Sequence, residues 1–152
     1  MTPAGTPKSV SDEFLQFASD AIDNVAATEG VLRSAISRAY YAIFILAREQ
    51  LFGSDGAELT QRVKKKLRKD YRKKLSKDLV GSHQEILFAV SLKKITLSQQ
   101  MRQLYQARIN ADYHLSTKNL LPIVHTTWQA FAKETVELAQ LIQQEAARLS
   151  RF

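Results

Sequence analysis

Cysteine is absent from the 152 residues, which excludes disulfides and thiolate zinc sites. Histidine is nearly so. His83, His114 and His125 are too few and too scattered along the chain to make a metal site. Long apolar runs are missing as well: the longest covers residues 39 to 47, between Arg38 and Arg48. A membrane helix needs roughly 20 apolar residues. The opening Met-Thr-Pro-Ala-Gly-Thr-Pro-Lys has no apolar targeting core. No stretch alternates apolar and polar residues as a half-buried strand does, and no internal repeat is present. These absences point to a soluble, cytoplasmic protein with no metal or other cofactor and no membrane span. The length fits one domain with a real core, covering 11–152 after a disordered segment 1–10.

Charge is present but unevenly spread. The net charge is +7, yet residues 62 to 77 alone carry ten Lys or Arg against one acid, Asp70. The rest of the chain holds twelve basic and fourteen acidic residues. The cations are Arg62, Lys64, Lys65, Lys66, Arg68, Lys69, Arg72, Lys73, Lys74 and Lys77. A run of this density neutralises phosphates and gives strong, salt-sensitive, sequence-independent binding to nucleic acid. A basic amphipathic helix also suits an acidic protein partner or anionic lipid.

Apolar spacing reads as helix nearly throughout. A first helix is expected over 11–27, with Phe14, Phe17, Ala18, Ala21, Ile22 and Val25 on one face. Gly30 marks a break. A second helix follows over 31–52, striped by Leu32, Ile36, Ala39, Ile43, Ala47 and Leu51 and ended by Gly53. The basic segment, 57–79, repeats its apolar residues every four, so its stripe drifts by about 40° per step and covers a core only loosely. A short helix is expected over 83–94, with Ser82 and Glu85 at capping-box spacing. Thr96 and Gln99 repeat that spacing at the start of a helix that stops near 115. A last helix extends to about 149 with Asn119 as its N-cap and Pro122 in its first turn. The architecture is an all-α, up-and-down bundle of four long helices and one short one.

Within the 96–115 helix, Arg108 interrupts an apolar stripe of Leu97, Met101, Leu104, Ala111 and Leu115. A buried guanidinium costs several kcal/mol unless it is paired (an order-of-magnitude figure). Asp112, four residues on, is its helix neighbour. One reading is therefore an ion pair that fixes packing. His114 lies six residues after Arg108, about 120° around the axis and about 9 Å along it. The two side chains do not easily meet on one phosphate in a straight helix. Either the helix loosens near its end, or a working site combines two copies of the chain near a two-fold axis. On the second helix, Arg38, Tyr41, Ile45 and Arg48 form a stripe beside the core stripe, suited to meeting another helix or another chain.

Arg33-Ser-Ala-Ile-Ser-Arg38-Ala-Tyr-Tyr-Ala-Ile-Phe44 resembles the second-helix signature of the HEPN superfamily. Arg108-x5-His114 is similar to that superfamily's Arg-x4–6-His motif, and Ala111-Asp-Tyr113 to its R…ADY subgroup. The resemblance covers about residues 11 to 150. It implies a HEPN-like bundle, commonly a homodimer, and often a metal-independent endoribonuclease that acts as a toxin or defence effector. A minimal nucleotidyltransferase antitoxin is a frequent partner. Arg108 and His114 are then the catalytic pair, with Asn110, Asp112 and Tyr113 in support. Where the family often has a polar residue directly after the arginine, this chain has Ile109, which keeps open a non-catalytic binding module as the alternative.

Overall fold

A computed structural model describes residues 9–53, 65, 82–113 and 127–151. Nine of the ten basic-run residues, His114, His125, residues 1–8, and Asn119 and Pro122 with the expected start of the last helix lie outside them. Lys65 is described, and it is helical and exposed. The described residues are helical, with no strand, in five helices: α1 (Val10–Asp23), α2 (Glu29–Phe52), α3 (Ser82–Lys93), α4 (Ile95–Tyr113) and α5 (Trp128–Ala147).

Capping explains where these helices depart from the apolar spacing. α1 starts at Val10, inside the segment expected to be disordered, because Ser9 caps it: Ser9 Oγ accepts from the Asp12 N–H at 3.1 Å. It ends at Asp23, short of 27. Asn24 leaves the helix with φ −87° and ψ 108°, and its Oδ1 accepts from Ala26 N–H at 2.9 Å. Val25, expected on the apolar face, is therefore fully exposed. Gly30 is not a break. It sits in the first turn of α2, which Thr28 caps through Oγ1 to Val31 N–H at 3.3 Å. The stop at Gly53 is as expected: its φ of 98° is one that L side chains rarely adopt, and its N–H donates to Glu49 O at 2.8 Å.

α3 and α4 are separated by Lys94 alone. The Lys94 N–H donates to Val90 O and the Ser98 N–H to Lys94 O, so backbone bonding runs nearly unbroken through the corner. No capping box forms at Thr96, which is exposed inside α4. Instead, buried Ser98 donates from Oγ to Leu87 O at 2.9 Å and ties the two helices together. α5 is capped by Thr127, whose Oγ1 accepts from Ala130 N–H at 3.1 Å. Thr127 is extended (φ −138°, ψ 152°), so no helix passes continuously from 119 through this point.

α2 is the centre of the bundle and packs against all four other helices. Ala35, Ala39, Ala42 and Ala47 are wholly buried on it, and their small side chains let neighbouring helices approach closely. Ile43, Leu51, Leu87, Val90, Leu97, Met101, Leu104 and Ile142 belong to the larger core. A second cluster joins Leu32 and Ile36 to Ala107, Ala111, Trp128, Phe131 and Ala132. α2 is also the one described helix long and apolar enough to cross a membrane, but half of that stretch is buried inside the bundle.

Candidate functional site

α2 and α4 lie side by side, and the chemistry-bearing residues collect along their seam. Arg108 falls where the apolar stripe of α4 predicts, directed into that seam, with its side chain 14 % exposed. Its Nε is 3.1 Å from Asp112 Oδ2. That atom is buried and lacks an aligned hydrogen bond, so the contact is an ion pair held by proximity rather than by direction. The guanidinium carbon stands 5.3 Å from the centre of the Tyr41 ring, within cation–π range. The other oxygen of Asp112 accepts from Ser37 Oγ at 2.5 Å. One carboxylate therefore clamps α4 to α2 while neutralising Arg108.

Towards the end of α4, Arg33 closes the seam. Its Nε donates to Ala111 O at 2.6 Å, and its guanidinium carbon lies 4.6 Å from the Trp128 ring centre. This one side chain joins α2, α4 and the start of α5. Beside it is an open groove of about 820 Å³, lined by Phe14, Arg33, Ser37, Arg38, Tyr41 and Asp112 among others. Tyr113 lies at its edge, 69 % exposed. Asn110 is buried. Ile109 is half-buried.

The stripe expected to meet another helix or chain is occupied in large part by this chain's own rings. Arg38 stacks over Phe17 at 4.5 Å and Phe14 at 5.3 Å, both on α1. Arg48 lies 5.7 Å from the Phe44 ring centre, and its buried Nε has no hydrogen-bond partner. Ile45 is half-buried against the core.

Spacing alone missed a histidine. His83, in the first turn of α3, reaches Tyr40 across 43 positions: Tyr40 Oη and His83 Nδ1 are 2.7 Å apart. The imidazole is ringed by Phe44, Tyr40, Tyr105 and Tyr41 at 4.6 to 5.9 Å between centres. Burial, and then the charge of Arg108, lowers its pKa below the usual 6.5. Burial pushes the Tyr40 phenol far above its usual range, with Tyr105 and Tyr41 adding to the rise and Arg108 opposing it. The pair is neutral at physiological pH. The sequence contains no local sign of it, since nothing in the spacing around His83 points to Tyr40.

Among the described residues no three His, Asp or Glu side chains converge to hold a metal ion. No family model, curated protein or solved structure matches the chain.

Proposed function

We propose that the protein is a metal-independent endoribonuclease of HEPN type, a toxin or defence effector that acts as a homodimer and holds RNA on its 62–77 basic run. The observation that carries this reading is Arg108: a guanidinium kept in a helix–helix seam by Asp112 and Tyr41, beside an open groove and six residues before His114 in the sequence. Holding a cation there at the expense of desolvation makes sense if it has a task beyond packing.

The reaction needs no group from outside the RNA and the protein. The RNA 2′-hydroxyl attacks the adjacent phosphorus, and the bond to the 5′-oxygen breaks. The product ends in a 2′,3′-cyclic phosphate, with a free 5′-hydroxyl on the departing strand. His114 takes the 2′-hydroxyl proton, and the second copy's His114 returns one to the 5′-oxygen. Arg108 stabilises the charge that builds on the phosphorane oxygens. Arg108→Ala and His114→Ala should each abolish cleavage while far-UV circular dichroism shows an intact bundle. Undiminished cleavage by both variants refutes the assignment.

A second reading is a non-catalytic binding module, favoured by Ile109 and by the ion pair that occupies Arg108. It predicts RNA binding with a steep salt dependence and no cleavage by the wild type. A nucleotidyltransferase partner fits the exposure of Tyr113 at the end of α4. In that case mass spectrometry of the co-expressed pair should find Tyr113 modified.

A further inference from the structure

We infer that His83 is a positioning residue that holds Arg108 in the α2–α4 seam, and that it does so only as a neutral imidazole bonded to Tyr40. The inference rests on the ribonuclease reading for its effect on cleavage, and not for its structural part.

His83 is a wedge between three helices. It belongs to α3, three of its four surrounding rings come from α2, and Tyr105 comes from α4. Tyr41 is the shared element: its ring centre is 5.9 Å from the imidazole and 5.3 Å from the Arg108 guanidinium carbon. Removing the wedge takes away the packing that keeps Tyr41 under Arg108. Among the described residues no backbone hydrogen bond joins α3 to α2.

The hydrogen bond sets the protonation state. Tyr40 is 1 % exposed, and among the described residues its hydroxyl has no acceptor other than His83 Nδ1. The hydroxyl therefore donates, Nδ1 accepts, and the imidazole proton resides on Nε2. Protonating Nδ1 sets two hydrogens against each other, and one buried donor is left unsatisfied. The charged groups around the ring act in the same direction. Arg108 on α4 acts directly on His83, and Arg48 on α2 stands over Phe44, the ring nearest the imidazole. Tyr40, Tyr41 and Tyr105 contribute neutral phenols. Asp112 is already engaged by Arg108 and Ser37. Glu85, on α3 itself, is two residues along and so faces another way. Four aromatic rings would attract an imidazolium. Desolvation, a neighbouring guanidinium and the lost Tyr40 bond together outweigh that gain.

Side-chain NMR of the full chain tests the structural part. His83 should titrate below 6.5, and Arg108→Met should raise its midpoint. The buried Arg108 Nε–H should exchange slowly above that midpoint and lose protection below it. His83→Ala should reduce this protection at least about tenfold above the His83 midpoint and match the wild type below it. His83→Asn, whose Oδ1 replaces the Nδ1 acceptor without titrating, should retain it in acid. For cleavage, the activity ratio of His83→Asn to wild type should rise by about tenfold per pH unit below the His83 midpoint. Titration of His83 at or above 6.5, or Arg108 protection unmoved by His83→Ala, overturns the inference. Cleavage with a flat ratio overturns its catalytic consequence and leaves the ribonuclease reading intact. Absence of cleavage with the NMR behaviour as described refutes the ribonuclease reading and upholds the positioning role.

Discussion

Asp112→Ala is expected to cost more stability than Arg108→Met, although Arg108 is the more buried partner. Removing Asp112 leaves a guanidinium in the seam with its Nε away from water, and deprives Ser37 Oγ of its acceptor. Breaking a fully buried pair on one side costs roughly 3–5 kcal/mol. Asp112 is 32 % exposed, so water partly replaces it, and the expected loss is about 1–2 kcal/mol. Arg108→Met places an apolar side chain beside Leu104, Ala107 and Ala111, all buried. It gives up a cation–π contact of about 0.5–1 kcal/mol but no longer desolvates a charge. Asp112 keeps its bond to Ser37 and its share of water. The variant should lie within about 0.5 kcal/mol of wild type. Urea unfolding followed by far-UV circular dichroism measures both. With a slope of about 2 kcal/mol per molar, the Asp112→Ala midpoint should fall by about 0.5–1 M and the Arg108→Met midpoint should hardly move. An Arg108→Met variant as unstable as Asp112→Ala, or more so, refutes the reasoning and makes Arg108 a net structural asset. Cleavage should rank the two the other way, with Arg108→Met losing at least about a hundredfold.

Because His83 has a lower pKa folded than its unfolded 6.5, the unfolded chain binds its proton first on acidification. Its contribution to stability is complete above about 6.5 and is lost as pH falls through that value to the lower folded one. Urea midpoints against pH should show this slope in wild type and not in His83→Asn. Ala39→Leu, at a wholly buried position on α2, should cost about 1–3 kcal/mol by overpacking, read as a lower thermal midpoint. Replacing Lys64, Lys65 and Lys66 by Gln should weaken RNA binding and flatten the plot of log affinity against log salt by up to about 2. An unchanged slope would remove the basic run from RNA binding.

Helix existence was legible in the sequence because apolar residues recur at helical intervals, and Leu32, Ile36, Ile43, Met101 and Leu104 are all buried as that spacing predicts. Helix ends were less legible. Gly30 looked like a stop and Thr96 like a cap, but Thr28 already closes the start of α2, and α3 runs into α4 through Lys94. A cap is a choice among neighbouring polar residues, and packing on either side decides which one is used.

The chemistry divides along the same line. Arg108 and Asp112 are one helical turn apart, so their pairing followed from sequence alone, as did the conflict of a guanidinium in an apolar stripe. Ser37 lies 75 positions from Asp112 and His83 lies 43 from Tyr40, and no periodicity reaches that far. The sequence by itself determined an all-helical chain with a charge misplaced on one helix. Only the tertiary structure decided what surrounds that charge: Tyr41 and Ser37 from α2, and His83 from α3, because local spacing orders one helix surface while side-chain packing selects which surfaces meet.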